Sequence, residues 1–423
     1  MPSNRSHVLL YLFIVLLFSL SLTFCSHTKP VARITVEAGD YMRINTPVSL
    51  PLENLSIHET DDLKLKCIDG RTEKAVPCQL EPGDPLHLYW IISDTLKPGK
   101  ERSYRLYIGE SSDDPILKTI RKEEYLSIYA GSRPVLQYNH APVSPPEDVD
   151  SSYTRSGFIH PVWSPSGDTL TRIQPPDHYH HYGIWNPWTR VNVEGREVDF
   201  WNLGDKKGTV RFNSYISTTG GPVYGGFRVL HDHIDLTAPN GEKVALNEEW
   251  HLRAWKPFQH PSGEGWLWEL TSILNCATPE PVILEQYRYG GGIGFRATEA
   301  WNNINSWIVT SEGKTREDGD ATKARWCMVY GETGGGISGI LFMSHPRNRE
   351  HPEPMRIWPV ENEDVFFEFC PIRHKKWDIL PGKKQVLTYR MLVYTGTIST
   401  EVAERYWQDL AFPPKITIES FDK

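Results

Sequence analysis

From Val31 onward, apolar and polar residues alternate with a period of two in run after run: "ARITVE", "LKLKCID", "LHLYWIIS", "SYRLYIGE", then "GTVRFNSYIS", "FRVLHDHIDLTA", "KVALNEEWHLRAW", "GWLWELTSILNCA" and "QVLTYRMLVYTG". Alternation of this kind puts one face of each segment against a core and the other against water, so the chain must build layered β-sheets. Turn residues separate the runs at short intervals. One segment breaks the rule. "STEVAERYWQDLAF" spaces Val402, Tyr406 and Leu410 on one helical face, with Ser399 or Thr400 as the cap and Glu401 in the first turn. The expectation is an all-β chain. A small immunoglobulin-like β-domain spans residues 31–115, and a large antiparallel β-sandwich that carries the chemistry spans 121–412.

Ahead of the first strand, Arg5 precedes an apolar run over residues 9–22, and Cys25 follows before the chain turns polar. This order reads as a lipoprotein signal peptide over residues 1–25. Cys25 is the lipidation site, although Phe24 departs from the small residue usual before it. The expected place is therefore outside the cytoplasm, as a lipoprotein of the periplasm or outer-membrane surface, joined to the membrane through its lipid alone. The redox setting then allows Cys67 and Cys78 to form a disulfide across neighbouring strands.

The charge balance, 45 basic against 53 acidic residues for a net −8, disfavours a polyanion partner, so no nucleic acid is expected. Aromatic residues reach 12 %, with 15 Trp and 19 Tyr, a supply that suits stacking on the flat faces of sugar rings as well as filling a sandwich core.

The densest polar stretch is "PPDHYHHYGIWNPWTRVNVEGREVDFWNLGDKKG". His178 and His180 share one face of an extended segment, with His181 pointing elsewhere. Such a pair fits a metal-free sugar site with proton transfer, metal ligation, or a plain surface loop. Upstream, Arg155 and His160 suit a grip on a carboxylate or hydroxyl, or an ordinary internal ion pair. In "VILEQYRYGGGIGFRATEAW", Glu285, Tyr287 and Tyr289 alternate onto one face before Gly290, Gly291 and Gly292, and Arg296 follows. No helix follows the glycines, so a dinucleotide loop is excluded. Glu285 is the carboxylate best placed for general acid or base work, with a surface glutamate as the alternative. "REDGD" resembles a solvated loop more than a calcium loop. His345 follows a strand in "FMSHPRNREHPEPMRIWP".

The ordered set "RSGFIHPVWSPSG", "PPDHYHHYGIW", "GREVDFWNLG", "YGGGIGFRATEAW", "SEGKTR", "ARWCMVYG", "SHPRNREHPEPMRIWP" and "LTYRMLVYTG", over residues 136–396, resembles a bacterial family of unknown function that carries the label methane oxygenase PmoA. The resemblance implies an exported protein that sits among sugar-acting oxidoreductases, isomerases and polysaccharide-degrading enzymes. It also implies a core similar to galactose-mutarotase-type sandwiches, in which His and Glu on a concave sheet act on sugars. It assigns no catalytic residue.

The expected function is an enzyme, a glycoside hydrolase or lyase acting on a glycoside or oligosaccharide in polysaccharide breakdown. His178, His180, Glu285 and His160 are expected to carry catalysis. Arg155, His181, Trp185, Tyr287, Arg296 and His345 are expected to hold the substrate in the same concave pocket. No cofactor is expected; the alternative is a divalent metal on His178 and His180, which would make the protein a metal-dependent oxygenase or hydrolase. A second alternative is a non-catalytic glycan-binding lipoprotein.

Overall fold

The computed structural model describes residues 29–53, 55–109 and 113–421, so the signal segment and Cys25 lie outside the described residues. Among the described residues, no helix is long and apolar enough to cross a membrane. The described residues are mostly antiparallel strands, with one α-helix among them, Thr400–Ala411. Ser399 caps that helix through the Val402 amide at 3.4 Å, and Ala403, Tyr406, Trp407 and Leu410 bury its inner face.

The N-terminal unit packs a five-stranded sheet against a three-stranded one. The first runs Lys415–Ser420, Ala32–Glu37, Glu101–Ile108, Leu63–Asp69, Thr72–Val76; the second runs Thr46–Pro51, His87–Ile92, Cys78–Glu81. Alternation supplies its core: Ile34, Val36, Leu88, Trp90, Tyr104 and Leu106 meet between the sheets. The strand Lys415–Ser420 comes from the far end of the chain and pairs residue by residue with Ala32–Glu37. Its isoleucines, Ile416 and Ile418, pack on the same core, so the first unit is completed by a strand that follows the large unit in sequence. The helix before it is pinned to the first unit by Asp409, which bonds Arg43 at 2.9 Å and Thr46 at 2.9 Å.

Cys67 and Cys78 are free thiols, contrary to the expected disulfide. Cys67 lies opposite Lys74 in the five-stranded sheet, whereas Cys78 lies opposite Trp90 in the three-stranded one. The chain changes sheets at Pro77, so the two cysteines belong to different layers rather than to one hairpin.

The large unit faces two sheets across one core. One carries the long strands Gly208–Thr219, Tyr224–Asp235, Lys243–Trp255, Gly263–Cys276, Gln385–Thr395, Gly336–Ser344, Trp326–Thr333 and Ser306–Thr310 in that order. The other runs Lys323–Ala324, Glu353–Ile357, Phe366–Phe369, Ile293–Arg296, Ile184–Trp185, Phe158–Val162, Arg133–Asn139, Tyr125–Ala130, Leu117–Arg121. Ile184, Phe295, Ile357 and Phe367 point into the inter-sheet core. Trp185, Trp358 and Phe366 have the opposite parity. They form a separate aromatic cluster on the outer face of the second sheet, together with Tyr182 and Trp201. That outer cluster is the floor on which the candidate site stands.

Candidate functional site

The segment between Gln174 and Tyr182 is not extended. The His178 amide bonds Pro175 O at 2.9 Å and the His181 amide bonds His178 O at 3.0 Å, making two successive turns. The turns correct the expectation that His181 points away from the other two. They fold all three imidazoles together, with ring centroids 4.7–5.3 Å apart. One ring nitrogen from each of His178, His180 and His181 lies within 4.8 Å of the others.

The three histidines line a cleft of about 210 Å³ with Trp201, Asn202, Arg288, Tyr289, Arg356, Trp358, Asn362 and Phe366. Trp358 packs 4.8 Å from His178, and Trp201 lies 6.0 Å from His180. His181 is enclosed by Trp185, Trp201, Trp358 and Phe366. Burial drives its pKa well below the ordinary imidazole value, and burial with the neighbouring His178 takes His180 down to about 3, so both rings are neutral at pH 7. Among the described residues, the Nδ1 of His181 is buried without a hydrogen-bond partner.

Below the rings lies a charge-balanced network. Asp177 bonds His178 Nδ1 at 2.7 Å and Arg296 at 2.8 Å. Arg296 also holds Asp364 at 2.5 Å, and Arg172 approaches both acids at 3.4 and 3.5 Å. Burial would raise the Asp177 carboxyl, but the His178 hydrogen bond and the Arg296 charge outweigh it and hold it below the usual carboxylate range. Arg296 stacks its guanidinium 4.7 Å from the Trp358 ring. The arrangement presents two neutral imidazoles, His180 and His181, beside a third, His178, that is backed by a carboxylate, in a bowl of aromatic rings.

Four of the expected site residues lie elsewhere. Glu285 follows the strand Val282–Leu284 in a separate four-stranded sheet; its amide bonds Arg190 O at 3.0 Å, and its side chain does not reach the cleft. His160 is turned to Thr171 Oγ1 at 2.9 Å, and burial lowers its pKa to about 4. Arg155 is buried, donates to Phe200 O at 2.9 Å, and lines another recess with Ser151, Ser156 and Leu203. His345 lines a groove with Pro47, Glu269, Arg390 and Asp409, where the small unit meets the large one. The ten expected site residues, spread from Arg155 to His345, therefore do not form one pocket.

Two further expectations change in detail. Trp185 is fully buried beneath His181, so the aromatic rings that line the cleft are Trp201 and Trp358 instead. Tyr287 sits one ring back, packed edge-on against Tyr289 at 4.6 Å and under Arg190 at 4.1 Å. The glycines turn a corner in place of admitting a ligand. A Cβ on Gly291 would stand 1.9 Å from the Trp188 ring, and one on Gly292 2.1 Å from Phe369 O.

Asp177 is the residue whose role sequence reasoning missed although the signal was present: it adjoins His178 in "PPDHYHH". Asn362 lines the cleft and Asp364 joins the network beneath it through Arg296, from a stretch with no local signal; Arg356 lies in "SHPRNREHPEPMRIWP" but was not singled out there.

No curated protein matches the chain. Among solved structures, a galactose mutarotase-related enzyme from Lactobacillus acidophilus is similar at 8 % identity and a TM-score of 0.26, covering 66 % of this chain and 98 % of that one. Residues 125–408, which contain the whole cleft and the motif order read from the sequence, match the family of unknown function DUF6807, and the chain belongs to that family.

Proposed function

We propose that this protein is a carbohydrate-active enzyme, exported and anchored through Cys25, that acts on a glycoside or oligosaccharide in the His178 cleft. The observation that carries the reading is the Asp177–His178 pair at 2.7 Å, set in a bowl of Trp201, Trp358 and Tyr289. Aromatic planes suit the CH faces of a sugar ring, and Asn202, Asn362 and Arg288 offer hydrogen bonds to its hydroxyls. The volume lies below that of drug-sized ligand sites and suits one or two sugar units.

Within this class the geometry favours elimination over hydrolysis. Hydrolysis by the usual route needs two working carboxyl groups around the bond. Asp177 and Asp364 are both engaged by Arg296, at 2.8 and 2.5 Å. Elimination needs one base beside an acidified carbon, and His178, oriented by Asp177, is that base. Arg288 would take a uronate carboxylate.

Incubating the full chain with neutral and uronate-containing oligosaccharides, 3-keto-glycosides included, while following unsaturated and reducing-end products tests the reading. Turnover by the wild type, falling about 100-fold or more in His178→Ala with an unchanged fold, is the expected result. Binding without turnover would instead favour a glycan-binding lipoprotein. Cys25→Ser should move the protein out of the membrane fraction; unchanged fractionation would refute the anchor.

A further inference from the structure

We infer that His178, His180 and His181 together bind one divalent transition-metal ion of the zinc class. The inference deepens the proposed function by naming what the cleft holds, but rests on that reading only for its substrate. The metal site is argued from the side chains alone.

Three imidazoles whose ligand nitrogens lie within 4.8 Å of one another are close to a three-point chelate. Around zinc, with Zn–N bonds of about 2.0–2.1 Å, such nitrogens stand about 3.3 Å apart. The widest gap therefore closes through small rotations of imidazoles on a turn, with no movement of a strand. The second observation is independent. His181 is only 1 % exposed, lines the cleft, and leaves Nδ1 unpartnered; among the described residues neither its ring nor that of His180 takes part in a hydrogen bond. A buried ring nitrogen with no partner costs stability unless something else binds the cluster.

The surroundings match a metal site with one open position. Asp177 bonds Nδ1 of His178 at 2.7 Å, which leaves Nε2 as the donor and fixes the tautomer, as outer carboxylates do for histidine ligands. The cations beneath do not repel the ion unopposed, because Arg172 and Arg296 are matched by Asp177 and Asp364. An all-imidazole donor set suits zinc, copper or nickel and is unsuited to magnesium or calcium. Three protein ligands leave a fourth position open toward the cleft for water or a sugar oxygen, and a metal-held hydroxide there would replace His178 as the base.

The test uses untagged full-length protein, stripped with a chelator and then titrated with Zn²⁺ by calorimetry, with bound metal measured by elemental analysis. One Zn²⁺ per chain and a raised thermal midpoint are expected, with no response to Mg²⁺ or Ca²⁺. Co²⁺ in place of Zn²⁺ should give visible d–d bands of a low-coordinate imidazole site. Affinity should fall at least tenfold in His178→Ala and His180→Ala, and about tenfold in Asp177→Asn, which removes no ligand. The Co²⁺ spectrum keeps the result interpretable if one variant folds poorly. Absence of stoichiometric binding overturns the inference, and so does equal binding by the histidine variants. The two proposals fail separately: sugar turnover by a chain that takes up no stoichiometric Zn²⁺ sinks the metal site alone, and a filled metal site with no turnover on any oligosaccharide sinks the sugar reading alone.

Discussion

Two clusters of histidine, acid and tryptophan lie on opposite sides of the second sheet, one in the core between the two sheets and one on its outer face, and only one of them has the form of a site. Between the sheets, Glu248 takes hydrogen bonds from His233 at 2.8 Å, Trp250 at 2.7 Å, Ser272 at 2.5 Å and the Asn186 amide, while His231 bonds Tyr138 at 2.6 Å. Every one of these side chains is buried. On the outer face, His178, His180 and His181 open onto a cleft, and among the described residues two of the three rings make no hydrogen bond, whereas His231 and His233 each make one through Nε2. The residue types are nearly the same. What separates them is access. A sealed cluster must satisfy its charge internally, so its acid collects donors; a cluster beside a cleft can leave its demand to a ligand.

The sharpest way to break this contrast is Glu248→Ala. It strips four donors of their acceptor deep in the core, and should cost about 3–5 kcal/mol in chemical denaturation. His178→Ala, at the cleft, should change stability by no more than about 1 kcal/mol. Equal costs would mean that the cleft histidines are structural as well.

A third buried acid sharpens the comparison. Glu353 is bonded by Ser344 at 2.5 Å, Asn348 at 2.8 Å and Tyr389 at 2.9 Å, all neutral groups. Burial without a cation pushes its pKa up to about 7, whereas Glu248, with His233 against it, is held below the ordinary value despite its burial. Between about pH 4.5 and 7 the folded chain keeps a proton on Glu353 that the unfolded chain has released. Stability therefore falls as pH rises through this window, by on the order of 3 kcal/mol. Thermal or urea melts against pH should show the fall in the wild type and a flatter profile in Glu353→Gln. An unchanged slope would mean that the proton is held elsewhere.

The smallest effect is expected from Glu285→Gln. That side chain lies outside both clusters, so stability should shift by less than about 0.5 kcal/mol and any turnover should be retained. A large loss of activity would return Glu285 to the mechanism and undo the assignment of the site to the cleft alone.

Much of the architecture was legible because a two-residue period is local. It marks "KVALNEEWHLRAW" or "QVLTYRMLVYTG" as a strand wherever the partner lies, and the helix at Thr400–Ala411 carries its own cap and apolar stripe. The addition of Lys415–Ser420 to the first unit was not legible, since "KITIES" names a strand without naming the sheet that receives it. The cysteine pairing failed for the same reason: proximity along the chain implied a hairpin, but Pro77 carries the chain into the other layer.

The site divides in the same way. Its histidines are contiguous, so "PPDHYHH" alone marked the place, and the aromatic supply was plain in the composition. Which groups join them depends on parity and register across strands far apart in sequence. Arg296, Trp358 and Phe366 come to one outer face because Phe295, Ile357 and Phe367 are taken by the core. Alternation along each strand, a short-range property, was determined by the sequence itself. The side of the sheet on which Glu285, Arg155 and His345 would fall was decided only by tertiary structure, because side-chain direction in a sandwich follows from which neighbouring strands have already claimed the core.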